Sequence, residues 1–292
     1  MSARVPLRET LRIPGMIGSL VMIAPALLLV GLLFLFPIAL LAYRSFGGAE
    51  LSLENYQSLF SSSLYINSLI ATLKISAFVV LGCLFFGFPI AYALANASNR
   101  LRPVLFLAVL LPAWSCILVR NFAWIYLLQR RGPINEFLIS TGIIDQPISF
   151  MFNEFGVVLG MTNVLLPFMV LPIFVALQAQ DKTYLEASAS LGARPETAFW
   201  TVTLPLSMPG VMAGSLLVFA MALGFFVTPA LLGGGKVLVA ATYITNEIET
   251  LLNWDIAGAA SVVLLAVVVI VVAAYLRVIS SSNTTGAGDA TA

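Results

Sequence analysis

The chain has 292 residues and a formal net charge of +1, with 60% hydrophobic and only 9% charged residues. A soluble domain usually carries about a quarter charged residues, so this composition indicates a membrane protein, and the balanced charge argues against nucleic-acid binding. Histidine is absent and the two cysteines, Cys83 and Cys116, lie in apolar runs, so neither a metal site nor a disulfide framework is indicated.

A membrane-spanning helix needs about 20 largely apolar residues, and about six segments meet that standard. They predict an all-α membrane protein with a single transmembrane domain over residues 17–279. The first segment is too long for a secretory signal and no small-residue cleavage site follows it, so we expect it to remain as an anchor. The predicted spans are residues 17–43, 68–94, 104–128, 156–177, 211–232 and 256–278.

The distribution of basic residues predicts the orientation, because cytoplasmic loops are enriched in Lys and Arg. The basic residues on the side of the amino terminus are Arg4, Arg8, Arg12, Arg100, Arg102, Lys182, Arg194 and Arg277. Those on the other side are Arg44, Arg130, Arg131 and Lys236. The excess predicts that both termini are cytoplasmic, with residues 1–16 forming a cytoplasmic segment.

The other connections are less informative. Residues 51–60 are predicted as a short external helix or turn, and residues 130–155 as an external connector lying along the membrane interface. Residues 280–292 are rich in Ser, Thr, Gly and Ala, which predicts a disordered tail.

The polar connection at residues 179–208 has a distinct local pattern. Tyr184, Ala187, Ser188 and Leu191 recur at helical spacing and form one mostly apolar stripe. Gly192 is expected to end this helix in a left-handed conformation. Pro195 then suits the first turn of a second helix, with Glu196 beside its positive end. Small side chains at 187–189 would let another protein approach the backbone closely, although an ordinary surface loop fits the same pattern.

The sequence indicates no nucleotide site of its own. The run Gly233-Gly234-Gly235-Lys236 is not a phosphate-binding loop, because Ala230 replaces the first glycine and Val237 replaces the Ser or Thr. No catalytic constellation is evident either. We therefore expect this chain not to be an enzyme and to bind no cofactor itself.

The polar connection resembles the cytoplasmic coupling loop of permease subunits in bacterial binding-protein-dependent ABC importers. The residues that carry the resemblance are Glu186, Ala187, Ser188, Gly192, Ala193, Leu204 and Pro205. Ser188 departs from the commonest third residue of the Glu-Ala-Ala signature, but its small side chain preserves close approach. The stretches 84–95, 111–124, 132–135 and 225–235 resemble the second, third and fifth spans of the spermidine/putrescine branch.

This resemblance implies a type I ABC importer transmembrane domain in the bacterial inner membrane. It implies a second, distinct permease, two ATPase subunits holding ATP and Mg²⁺, and an external solute-binding protein as partners, all in membrane lipid. The seven loop residues would form the coupling site. ATP-driven closure of the ATPases would then move the coupling helices and reorient the spans.

Candidate residues of the translocation path come from the spans and their external ends. Arg120 is expected to face the interior or a wet cavity, either as a structural anchor bonded to carbonyls or a carboxylate or as a cargo contact. Lys74 is long enough to snorkel. Trp124 and Tyr126 would stack on a cation or belong to an interfacial aromatic belt. The acids nearest a span end are Glu154, Glu247, Glu249 and Asp255.

The resemblance makes a polyamine the first choice of cargo, but the residues do not decide it. Arg120 and Lys74 would repel a polycation, and related permeases carry opines, amino-acid derivatives or phosphonates. Two other classes stay open from the residues alone. A secondary transporter would be expected to show acidic or broken-helix ion sites near the midplane, and a membrane scaffold would not need the loop.

Overall fold

The computed structural model describes residues 16–47 and 52–288, in which all regular secondary structure is helical. Within these residues five helices are long and apolar enough to cross a membrane, and a sharply bent pair makes a sixth if it is one span. The predicted all-α membrane fold with about six spans is confirmed. Residues 1–15 of the predicted cytoplasmic segment 1–16 lie outside the described residues, and Met16 begins α1.

The first and last spans pack together at one side of the molecule. The first comprises α1 (Met16–Val30), a π-helical turn (Gly31–Leu35) and α2 (Phe36–Ser45), and the last is α14 (Trp254–Gly288). Helix α2 packs on α14, where a Cβ atom on Gly258 would lie 3.1 Å from the Leu41 carbonyl oxygen. The most apolar stretch of the first span contains no buried residue.

Helix α14 continues over residues 280–288, where the composition predicted a disordered tail beginning at Ser280. The reason is that a helix already formed in the apolar span adds each further residue with one more hydrogen bond, without a new nucleation step. Residues 289–292 of the predicted tail lie outside the described residues.

Three long helices form the centre of the bundle, namely α4 (Ser63–Asn96), α8 (Glu154–Gln178) and α11 (Leu204–Leu223). Helix α8 lies between the other two and packs on both. Glycines permit this closeness, as is common between membrane helices. A Cβ atom on Gly87 of α4 would lie 3.1 Å from Met169, and one on Gly210 of α11 would lie 2.6 Å from the Pro172 carbonyl oxygen.

The predicted third span is not one continuous helix. It consists of α5 (Arg102–Trp114) and α6 (Ile117–Leu128), and α5 makes an angle of 96° with the run Ile117–Ser140 that follows it. Pro112 weakens the last turn of α5 because it lacks an N–H donor. Ser115 then adopts an extended conformation, and Cys116 is also non-helical with ψ 129°. The uninterrupted prediction at residues 104–128 was wrong because a hydropathy pattern does not register such a break.

The predicted fifth span at 211–232 was displaced from the helix that forms. The helical run begins at α10 (Pro195–Ala198), continues through the π-helical turn Phe199–Thr203 and ends with α11 at Leu223. The chain breaks at Gly224 and resumes as the short helix α12 (Val227–Leu232). The apolar stretch that predicted one span therefore contains the end of α11 and all of α12, with a break between them.

The remaining short helices are α3 (Glu54–Ser61), α7 (Pro133–Ser140), α9 (Lys182–Ser190) and α13 (Ala240–Glu249). Helix α3 confirms the short helix predicted at residues 51–60, and α7 falls in the predicted interfacial connector. Opposite the end of the bundle that carries α9, a second apolar cluster joins α3, α4, α13 and α14 through Tyr65 and Tyr243, whose ring centroids are 5.3 Å apart.

Replacement of Gly210 tests the close packing of α8 and α11. We expect Gly210→Ala to destabilise the subunit by about 1–3 kcal/mol, because the added methyl forces two backbones apart. The thermal unfolding midpoint of the purified protein in detergent measures this effect. The matched control is Gly31→Ala, since a Cβ there meets nothing within 4 Å. Equal midpoints for the two variants would contradict the packing described.

Candidate coupling and translocation sites

The helix α9 of the polar connection begins with a side-chain cap. The Asp181 carboxylate accepts hydrogen bonds from the Thr183 backbone N–H at 2.9 Å and from its hydroxyl at 2.7 Å. The backbone bond first, and then the hydroxyl bond, hold the pKa of Asp181 below its ordinary value. Asp181 therefore stays ionised and fixes the point at which the chain leaves α8 and enters α9.

The end of α9 is the turn expected from the sequence. Gly192 has φ +81°, the left-handed conformation that glycine adopts without steric cost. Its N–H donates to the Ala189 carbonyl at 2.9 Å, and the Ala193 N–H donates to the Ser188 carbonyl at 3.0 Å. Pro195 occupies the first turn of α10. The predicted helix–turn–helix geometry is confirmed, whereas its role in coupling stays a prediction.

Helix α9 presents two different faces. Its outer face carries Tyr184, Ala187 and Leu191, of which Tyr184 is 58% and Leu191 89% exposed. Its inner face, with Leu185, Ser188 and Ala189 and with Glu186 at its edge, lines a cavity of about 710 Å³ between the loop and the ends of the spans. The predicted stripe is thus divided, because Ser188 lies on the cavity side.

The other predicted coupling residues surround this helix. Ala193 also lines the cavity. Leu204 and Pro205 form the first turn of α11, directly after the π-helical turn. The loop residues predicted as one site therefore come from the inner face, the outer face, the turn and the start of the next span.

Arg120 lies one turn into α6 and binds the break in the third span. Its guanidinium donates to the Ser115 hydroxyl at 2.9 Å from Nη2 and 3.3 Å from Nε, and reaches the Ser115 carbonyl at 3.5 Å. Ser115 in turn donates to the Pro112 carbonyl at 2.7 Å. This arrangement satisfies backbone groups that the bend leaves open, which favours the structural anchor among the two roles considered for Arg120.

The two aromatic candidates do not share a surface. Trp124 is half-buried and packs against the main core, whereas Tyr126 is 61% exposed. Residues two positions apart on a helix point in widely different directions. They cannot stack together on one cargo molecule within this chain.

The acidic candidates also divide. Glu247 is only 7% exposed and lies beside Tyr243 in the second apolar cluster. Burial, followed by the neighbouring Glu247 carboxylate, raises the pKa of Tyr243 to about 12. Glu249 and Asp255 are exposed. These two present a carboxylate to the surroundings, whereas Glu247 contributes to packing.

Two polar contacts were not anticipated from the sequence. Lys74 Nζ lies 2.6 Å from Glu154 Oε2, which joins α4 to the start of α8. Asn121 is fully buried and its Oδ1 accepts a hydrogen bond from Thr228 at 3.1 Å, which joins α6 to α12. The available signal was a polar residue inside an apolar run, which normally has a partner in the bundle. The identity of the partner required the fold.

Comparison with known proteins places these features in context. Residues 87–284 match the family described as "Binding-protein-dependent transport system inner membrane component". The spermidine/putrescine transport system permease protein PotB of Escherichia coli strain K12 is 36% identical over 218 residues, which cover 75% of this chain and 79% of PotB.

Solved structures show the same fold at low sequence identity. A chain of a bacterial alginate ABC transporter, in complex with its periplasmic protein, superimposes with a TM-score of 0.73 at 20% identity, covering 88% of this chain and 92% of that one. A chain of the inward-facing MetNI methionine ABC transporter gives 0.58 at 16% identity, covering 75% and 95%.

Proposed function

The chain belongs to the binding-protein-dependent transport system inner membrane components, and from this premise we propose how it couples, which way it faces and what it carries. Membership makes it a permease subunit of an ABC importer in the inner membrane, as its sequence predicted. It is a transport subunit, and ATP is hydrolysed on a separate chain. Importers of this kind use ATPase subunits, an external binding protein and a second permease.

The coupling site proposed here is the outer face of α9. The observation that carries the proposal is the exposure of Tyr184 on the short, capped helix α9 and of Leu191 at its C-terminal end. Large apolar side chains that project together from a polar loop mark a protein interaction surface. Ala187 lies between the two and leaves room for a partner's side chain. We assign this surface to one ATPase subunit, with a second ATPase on a partner permease.

Transport in this assembly is alternating access. A partner ATPase that holds ATP and Mg²⁺ moves against α9, and α9 transmits the movement to the spans. Glu186 and Ser188 lie on the side of α9 that lines the cavity, and Leu204 and Pro205 form the start of the span α11. This chain supplies one half of the path, and a distinct second permease supplies the other.

Substitutions in the loop test the coupling site. Ala187→Arg fills the space between Tyr184 and Leu191, and Gly192→Val opposes the left-handed turn. Each should lower ATPase binding by at least about tenfold, as at the centre of a packed interface, while the subunit still inserts. Co-purification of the ATPase and ATP-dependent uptake are the measurements.

Matched controls separate coupling from general strain. Gly142→Val places the same strained residue at φ +70° in a loop with nothing within 4 Å, and Ala187→Ser keeps a small side chain. Both should recruit the ATPase normally. If Gly192→Val and Ala187→Arg also did so, and uptake continued, the loop would not be the coupling site.

The orientation we propose has both termini and α9 in the cytoplasm. It is supported by the excess of arginine and lysine on that side and by the placement of the ATPase surface on α9. The linker between α7 and α8, together with α13, then faces the external binding protein.

Cysteine labelling in intact cells tests the orientation. In a background carrying Cys116→Ser, which removes the exposed native cysteine, Ser140→Cys on α7 should react with an impermeant maleimide. Ser190→Cys on α9 should react only after permeabilisation. Labelling of Ser190→Cys in intact cells, with Ser140→Cys protected, would invert the topology.

A polyamine is the proposed cargo. The 36% identity to PotB over three quarters of the chain supports it. The structure also removes one objection, because Lys74 is paired with Glu154 and so repels a polycation less than a free ammonium would. Glu249 and Asp255 remain exposed near the start of the last span and would attract cations. An opine, an amino-acid derivative or a phosphonate are the alternatives.

Neutralising the exposed acids tests their role in cargo entry. The double variant Glu249→Gln, Asp255→Asn should lower spermidine uptake and flatten its salt dependence, because it removes two negative charges that attract cations. The loss should be mild, since each exposed charge contributes about 1 kcal/mol or less. Vesicles carrying the full complex and its binding protein provide the assay, and Glu136→Gln, at an exposed acid on α7, is the control. Equal effects in both variants would remove Glu249 and Asp255 from the path. Uptake of an anionic or zwitterionic solute without spermidine would reject the polyamine.

A further inference from the structure

The ends of α4, α5, α8 and α11 lie close to α9 and are joined by hydrogen bonds from two side-chain amides and one guanidinium. Gln180, in the short link between α8 and α9, donates from Nε2 to the Thr203 carbonyl at 3.0 Å. Thr203 is the last residue of the π-helical turn and is only 5% exposed. This contact joins the end of α8 to the start of α11. The two bonded residues are 23 positions apart in the chain.

A second contact fixes α8 to α4. Gln178 Nε2 donates to the Ala95 carbonyl at 3.1 Å, and Arg102 Nη2 donates to the same carbonyl at 3.2 Å and to Ala97 at 3.2 Å. These carbonyls belong to the end of α4, where a helix has no backbone donors of its own left. Gln178 and Arg102 therefore bind one helix terminus from α8 and α5.

Aromatic contacts connect the π-helical turn to α4 as well. The Phe199 ring meets Phe88 with centroids 5.9 Å apart at 87°, and Tyr92 with centroids 5.5 Å apart at 90°. Edge-to-face geometry of this kind is favourable and directional. The turn that continues from the polar loop is thus seated directly on the last turns of α4.

Helix α9 itself packs on α10 and on the π-helical turn, and the cavity of about 710 Å³ lies between it and the ends of α4 and α8. Movement of α9 can therefore reach the spans along the chain through the link that contains Gln180, or through the π-helical turn. Gln180 joins these two routes at Thr203.

We propose that Gln180, Gln178 and Arg102 form a hydrogen-bonded clamp that makes the ends of α4, α5, α8 and α11 follow α9 as one body during ATP-driven transport. The clamp rests on the proposed coupling function and assigns positioning roles to residues outside the predicted coupling site. A π-helical turn has a less regular hydrogen-bond ladder than an α-helix. The Gln180 bond to its last carbonyl limits how far it can deform before α4 and α11 move.

The decisive variant is Gln180→Met, which keeps the length of the side chain and removes its donor. The experiment uses the full complex in proteoliposomes, in a background of Cys116→Ser and Cys83→Ala. Ser190→Cys reports movement of α9, and Asn99→Cys reports movement at the link between α4 and α5. Maleimide labelling rates are compared without nucleotide and after trapping with ATP and vanadate.

We expect trapping to change both labelling rates in the otherwise native complex. In Gln180→Met the Ser190→Cys response should persist, whereas the Asn99→Cys response should fall about threefold to tenfold, the equivalent of one net hydrogen bond. Spermidine uptake per ATP hydrolysed should fall by a similar factor. Gln178→Met should behave in the same way, and Gln57→Met, at an exposed glutamine on α3, should behave as native.

The outcomes separate the clamp from the function it serves. An undiminished Asn99→Cys response in both Gln180→Met and Gln178→Met would overturn the clamp alone. Loss of the Ser190→Cys response in Gln180→Met would overturn it too, because Gln180 would then act in ATPase docking. Lack of any trapping response in the native complex would overturn the proposed coupling, and the clamp with it.

Discussion

Inside hydrocarbon, a peptide group has no water to bind, so each N–H and carbonyl must find its partner within the protein. This constraint explains why polar groups cover the bend of the third span. At the bend of the third span, Ser115 and Arg120 occupy the open positions. Below α9, Gln178 and Arg102 bind the free carbonyls at the end of α4.

The same constraint divides the molecule into a packed centre and a connected lever. The centre is α4, α8 and α11, in which glycines bring backbones together and leave little room for independent movement. The lever is α9, which is capped at Asp181, reversed at Gly192 and separated from the bundle by a cavity. A short helix with few apolar contacts on its own bundle is suited to receive a partner, and a close-packed centre is suited to move as a unit.

The sequence was most informative where one residue type has one physical consequence. Apolar length predicted the spans, Gly192 predicted the left-handed turn, and Pro195 predicted the start of the following helix. The breaks at Ser115 and Gly224 were missed, because the residues around them are as apolar as those within a helix. Resemblance to importer permeases gave the family, which hydropathy could not.

The partners of polar residues could not be read from the sequence. Lys74 and Glu154 are 80 residues apart, and Gln180 meets Thr203 only because the chain reverses between them. Glu247 was predicted to lie on the path because it is near a span end in the sequence, close to two exposed acids, but it is buried beside Tyr243. Whether a charge faces the path or the core depends on how the helices are rotated, which spacing alone does not define.

The pairing of the first span with the last has a consequence for biosynthesis. Apart from α3, which follows it directly, α2 packs on α14, which begins only at Trp254. During synthesis α2 is therefore made long before α14, its protein neighbour in the bundle. Until then its apolar surface is covered by lipid or by the insertion machinery. A chain that stopped before α14 would leave the apolar surface of α2 without this protein contact, and membrane quality control could recognise that exposed surface.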